Sequence, residues 1–248
     1  TVTGLQYDLD YKISPNFGLD VPMEQISKGN GGSCVLSAYS SSVINLSNHL
    51  TTSLGITAQY FTLNKNWTVE PRAALKWSFN PKHALALAYG LHSRREKLDY
   101  YFVEQEANGK TKSNRYLDFS KAHHFGLTYD WNINSYMHLK VEPYYQYLFR
   151  IPVEENSSFS IINHQSFYLD RTLKNRGSGV NYGIDITLEQ YMKNGFYYMI
   201  TASLFKSKYK AGDNIWRNTR LDKNYLLNIL AGKEWMVGRN KQLSLIHI

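Results

Sequence analysis

The 248-residue sequence predicts an all-β fold, a partial transmembrane antiparallel β-barrel whose meander contributes about ten strands to a larger barrel. Three observations predict it. Apolar and polar residues alternate with period two over segments of about a dozen residues, beyond the roughly 5 to 6 of ordinary soluble strands and near the roughly 9 to 11 that cross a bilayer with tilt. The links between these segments alternate short and long, and aromatic residues gather where strands meet the short links.

Composition narrows the class. The chain is 43% hydrophobic and 15% aromatic, yet its mean hydropathy is −0.44. No apolar run approaches the roughly 18 residues of a membrane-spanning helix. The formal charge of +8 comes from basic residues interspersed with 20 acidic ones, and the absence of a dense basic run argues against a nucleic-acid partner. A single cysteine, Cys34, excludes an internal disulfide and a Cys-based zinc site. The sequence opens on Thr1 without a charged or apolar leader, which places any signal peptide outside it.

Taken in order, the first strand carries Leu5, Tyr7, Leu9, Tyr11 and Ile13 on one face and Gln6, Asp8, Asp10 and Lys12 on the other. Less regular strands follow near residues 34–46 and 51–63. Residues 68–80 give the sharpest case, with Val69, Pro71, Ala73, Leu75, Trp77 and Phe79 opposing Glu70, Arg72, Ala74, Lys76 and Ser78. Turning Arg72 and Lys76 toward hydrocarbon would cost about 2 to 4 kcal/mol each near the midplane, so Leu75 and Trp77 are expected to face lipid. Further strands are read at residues 85–92, 125–133, 139–149, 182–188, 196–208 and 224–236. Pro71 and Pro143 cannot donate to a ladder and are read as bulges.

Short links fall at residues 47–49, 80–83, 132–136, 193–195 and 238–240, and long ones at 14–35, 93–121, 150–181 and 208–224. Only the short link at 64–67 breaks the alternation. Tight turns at one rim and long loops at the other predict sidedness, with Gly109, Ser157 and Asp213 outside the cell and Asn48, Asn194 and Arg239 in the periplasm.

The strings AQYFTLNKNWTVEPR (58–72), LALAYGLHSR (85–94), KAHHFGLTYDWNI (121–133), LKVEPYYQYLFRIPVE (139–154), NYGIDITLEQY (181–191) and YKAGDNIWRNTRLDKNYLLNILAGKEWMVG (209–238) resemble the barrel of Bacteroidota TonB-dependent receptors. The resemblance covers nearly the whole chain from about residue 50 onward. It implies a barrel of about 22 strands in the Gram-negative outer membrane, closed by an N-terminal plug and energised through a TonB-contacting box, of which this chain would be a fragment without the N-terminal parts. The partners so implied are outer-membrane lipid, the TonB system and a nutrient ligand. The pattern is lost after Gln242, and residues 243–248, LSLIHI, look like a translated sequencing adapter. The expected division is therefore a barrel domain over 1–242 and a non-native tail over 243–248.

Enzymatic chemistry is not expected. His123 and His124 are adjacent, so in a strand they face opposite sides and cannot share one ion; His92 and Ser93 point apart for the same reason. No third group completes a catalytic set, and no metal or cofactor site is predicted. Gly29, Gly31 and Gly32, with no strand–helix context, read as a flexible loop rather than a phosphate cradle. Binding is expected in the long loops, where Tyr100, Tyr101, Phe102 and Trp216 offer stacking surfaces and Arg217 and Arg220 fixed positive charge. The function these readings predict is import of a bulky nutrient, such as a metal chelate, an oligosaccharide or a peptide, with a non-transporting structural or adhesive barrel as the alternative.

Overall fold

The computed structural model describes residues 1–13, 23–107, 110–237 and 241–247. Eleven strands follow one another in a single antiparallel path: β1 (Val2–Ile13), β2 (Glu24–Ser47), β3 (Leu50–Phe61), β4 (Asn66–Asn80), β5 (His83–Arg94), β8 (Ser120–Asn134), β9 (Met137–Val153), β10 (Lys174–Lys193), β11 (Phe196–Lys210), β13 (Tyr225–Val237) and β14 (Lys241–His247). The short β12 (Trp216–Asn218) pairs with β11, and β6 (Glu104–Ala107) with β7 (Lys110–Ser113) forms a separate hairpin. Each strand of the path pairs antiparallel with the next, and among the described residues β1 and β14 each pair on one side only.

Two-residue turns at Asn48–His49, Pro81–Lys82, Ser135–Tyr136 and Asn194–Gly195 define one rim. Asn194 and Gly195 have φ of 55° and 74°, the left-handed pair that a tight hairpin requires and that Asn-Gly adopts most readily. Gly195 is also fixed by space, since a Cβ there would lie 2.3 Å from the Glu234 carbonyl oxygen. The long links at 95–103, 114–119, 154–173 and 211–224 gather at the opposite rim, together with the four-residue link Thr62–Lys65. The expected sidedness positions Gly109 and Arg239 lie outside the described residues.

The register separates two unlike faces. In β3 through β5, Trp77 pairs with Leu50 and Leu85, Leu75 with Thr52 and Leu87, and Ala73 with Leu54 and Tyr89. The face continues through Phe125, Leu127, Tyr145, Tyr182, Leu204, Leu227 and Ile229. These side chains lie outside the loop core, with Leu75 41% and Trp77 51% exposed. The other face carries Gln59, Glu70, Arg72, Lys140, Glu142 and Asp185, and the loop core built on Val35 and Phe61 sits on it. Apolar out and polar in is the pattern of a barrel wall in lipid.

Rings band the outer face at both ends. Near the tight turns, Trp77, Phe79, His83 and Trp131 form a chain with centroids 5.2 to 5.7 Å apart, and Tyr129 hydrogen-bonds His83 Nδ1 at 2.7 Å. Near the loops stand Tyr60, Trp67 and Tyr147, while Tyr89 and Phe125 pair between the two bands. Trp67 and Trp77 are ten residues apart on β4, about 34 Å along the strand and, at roughly 40° of tilt, about 25 Å of height, which matches the apolar band of such barrels.

Several sequence expectations are corrected. The count of ten strands omits β12, the β6–β7 hairpin and β14, where Leu243 and Leu245 pair with Trp235 and Lys233 and are exposed. The glycine-rich tract is no loop: β2 starts at Glu24, and Gly29 and Gly32 pair with Leu9 and Gln6. A Cβ at Gly29 would fall 2.4 Å from the Phe102 ring, so glycine there admits a ring onto the strand. Pro71 and Pro143 are not bulges, because no register shift occurs at either. Instead the β4–β5 ladder ends at Arg72 and Gly90, just before Pro71, and the β8–β9 ladder skips Glu142 and Pro143. A missing N–H thus interrupts one side of each strand while the other side stays in register.

Leu75→Arg is expected to block assembly, since it places a charge in hydrocarbon at about 2 to 4 kcal/mol near the midplane, while Lys76→Gln on the inner face should assemble normally. Heat-modifiable migration on electrophoresis reads both, and greater damage from Lys76→Gln would reverse the assignment of faces.

Candidate functional site

The long loops fold into one cap, built from a few buried residues. Leu98–Phe102 forms a 3-10 turn, with Tyr101 1% and Tyr100 4% exposed. Tyr101 meets Phe61 edge-on at 5.3 Å, and its hydroxyl oxygen accepts the Glu96 N–H at 3.2 Å. Burial pushes the Tyr101 hydroxyl pKa up to about 12 and raises those of Tyr100 and Asp99. Phe102 lies on Tyr7 at 4.6 Å, with the Arg115 guanidinium 4.9 Å from its centroid.

Two polar residues stitch this segment to the next. Asn114, fully buried, accepts from the Leu173 N–H at 2.7 Å and donates to the Arg171 carbonyl at 3.1 Å. Gln105 donates to the Asp170 carbonyl at 2.8 Å and accepts from Thr172. The third loop joins through the Asp213 N–H on the Ser157 carbonyl, 3.2 Å, and the Arg220 N–H on Asn163 Oδ1, 3.2 Å. Ile162 touches both the core under Tyr100 and the small cluster of Val153, Tyr209 and Ala211.

The sequence-predicted binding residues fall into two groups. Tyr100 and Tyr101 are sealed into the cap core and Phe102 is half-buried, so these rings hold the cap and present no open stacking face. Arg217 is committed to Asp213 through two hydrogen bonds of 2.9 and 2.6 Å. Trp216 and Arg220 remain exposed, Trp216 with Lys210 Nζ 5.8 Å from its ring. Loop residues Asn163 and His164 connect the groups: Asn163 bonds the Arg220 backbone and His164 packs edge-on against Tyr100 at 5.7 Å.

Sequence reading missed a basic recess. Arg94, Arg95, Lys97, Tyr100, His164, Gln165 and Ser166 line a cavity of about 530 Å³ at the mouth of β5. Glu96, 3% exposed, partly offsets this charge through Arg94 at 3.7 Å. The run Arg94–Arg95–Glu96–Lys97 was available as a signal, but it sits where a strand gives way to a loop, and only the fold places His164 opposite.

Below the cap the inner wall is hydrogen-bonded across strands. Glu70, 2% exposed, accepts from Gln59 at 2.7 Å and from Arg72 at 3.0 Å. Gln146, Asn181, Ser207 and Thr219 form a chain over β9, β10, β11 and the loop beyond, with steps of 3.1, 2.6 and 2.8 Å. Among the described residues no group of three or more potential metal-ligating side chains converges.

No protein-family model matches the chain, and no curated protein is significantly similar to it. Solved structures do match. The FrpB iron transporter of Neisseria meningitidis, variant F3-3, aligns over 86% of this chain and 32% of its own with a TM-score of 0.60 at 12% identity. The F5-1 variant gives 0.58 at 12% identity, covering 83% and 31%. The alcaligin outer-membrane receptor FauA of Bordetella pertussis gives 0.56 at 13% identity, covering 84% and 35%. The fold is that of an outer-membrane receptor barrel. This chain spans about a third of the length of the structures it matches. The alternation of exposed apolar and interior polar side chains described above is the wall of that barrel, and the cap occupies its long-loop mouth.

The Asp213–Arg217 pair gives the cap a pH dependence. The hydrogen-bonded guanidinium holds the Asp213 carboxyl below its ordinary range. A depressed carboxyl contributes order that is fully present above its unfolded value, about 3.9, and is lost as pH falls through the folded one. Pepsin should therefore cut within 211–224 of the wild type only below about pH 4, and should cut Asp213→Asn already near pH 5. Equal cleavage of both proteins at both pH values would remove the ion pair from this account.

Proposed function

We propose that the chain is barrel wall and mouth of a TonB-dependent transporter in the outer membrane of a Gram-negative bacterium, importing a bulky nutrient. The observation that carries the reading is the reversal of faces in a receptor-barrel fold: exposed Leu75, Trp77 and Leu87 outside, and Glu70, Arg72 and Asp185 inside, beneath a folded cap. A structural barrel needs the first feature but has no need of a basic recess at its mouth.

In this reading the cap captures the solute and the wall guides it. Arg94, Arg95 and Lys97 supply three positive charges in a confined recess, suited to the anionic groups of a chelate or an acidic oligomer. Trp216 and Arg220, on the neighbouring loop, add an exposed ring and a further cation. Much of the polar inner wall is hydrogen-bonded across strands, which leaves a passing solute few groups to bind tightly. Energy would come from the TonB system through parts of the protein outside this chain.

Two experiments test the proposal. Single cysteines on a Cys34→Ser background, probed on intact cells with an impermeant maleimide, should react at Ser157 and Asp213 and stay unreactive at Asn48 and Asn194; labelling at Asn194 without Asp213 would invert the topology. Deleting the gene and deleting tonB should give a shared growth defect on at least one of a panel of iron chelates, glycans and peptides. Normal growth of the gene deletion wherever the tonB strain fails would leave a barrel without transport.

A further inference from the structure

His92 on β5 and His124 on β8 stand diagonally across the ladder, between the pairs Gly90↔His124 and His92↔Ala122. Both lie on the inner face, with their ring centroids 4.5 Å apart at an interplanar angle of 46°. Among the described residues neither imidazole makes a hydrogen bond, whereas His83, His123, His138 and His164 are each anchored through a ring nitrogen. Half-buried imidazoles normally find a hydrogen-bond partner, and among the described residues these two have none.

Space is reserved beside them. A Cβ at Gly90 would lie 2.7 Å from His92 Nε2, so glycine lets the His92 ring lie over the strand toward His124. The pair borders a groove of about 500 Å³ that Arg72, Tyr144 and Gln146 also line. The positive charge of Arg72 is offset by Glu70, 3.0 Å away.

We propose that His92 and His124 form a two-imidazole site on the inner wall for a borderline divalent cation of the Cu²⁺, Ni²⁺ and Zn²⁺ class. Two neutral imidazoles and no thiolate or converging carboxylate select these ions over Mg²⁺ and Ca²⁺, which take oxygen. Adjacent ligands from two strands leave the remaining coordination positions to water or to a group carried by a solute, so the site is open and exchangeable rather than structural. It stands apart from the transport reading, since it needs only the register of β5 and β8.

The test uses the protein purified from outer membranes in detergent, with Cu²⁺ alone as probe. Titration followed by electron paramagnetic resonance should show one tight equivalent with hyperfine structure from two imidazole nitrogens. His92→Gln and His124→Gln should each abolish the two-nitrogen signature while heat-modifiable migration stays unchanged, and His49→Gln, at a turn, should leave it intact. An unchanged signature in the His92→Gln/His124→Gln double variant, or no two-nitrogen signature in the wild type, would overturn the site whether or not the protein transports.

Discussion

Backbone amides in hydrocarbon have no water to turn to, and this requirement governs the structure. Strands must therefore pair along their length, and the chain becomes a meander whose successive strands pair without crossover. The register is then a consequence of turn length: two-residue links at one rim fix it to the residue, and a slip by one would turn every leucine inward. The two prolines mark how far the rule bends. Each forfeits a ladder bond on one side only, and no bulge is needed to carry it.

One alternation serves two opposite solvents. On β4, Leu75 and Trp77 point away from the loop core and stay exposed, whereas on β1 Leu5 and Tyr7 point toward it, Leu5 against the cap core and Tyr7 on Phe102. β1 pairs with Leu36 through Glu24 of β2, mostly above the level at which β3 ends at Phe61 opposite Val35. Outside the bilayer, water reasserts the usual rule, and the apolar side of the ribbon turns inward to close the core.

Much of the wall was legible because period two and turn length are local. Thr68–Asn80 announced its faces through Arg72 and Lys76, and Asn194–Gly195 announced its hairpin. The cap was not legible, because its contacts join residues far apart in sequence: Asn114 with Leu173, Phe61 with Tyr101, Phe102 with Gly29. Tyr100 and Tyr101 looked like ligand-stacking rings for the reason that makes them good core residues, large apolar area with a polar tip. His92 and His124 were each weighed against a sequence neighbour, and rightly found to point away from it. Their true neighbour lay one strand over.

β2 runs unbroken for 24 residues, from the tight turn at Asn48–His49 to a height well above its neighbour β3. Its lower part is wall and its upper part is the floor on which Phe102 rests, joined to the cap by the Ser27–Val103 bridge. A strand hydrogen-bonded on both halves acts as a stay between mast and canopy. The rim is therefore braced on the β2 side, and the segment 154–173 hangs from that brace through Asn114 and Gln105.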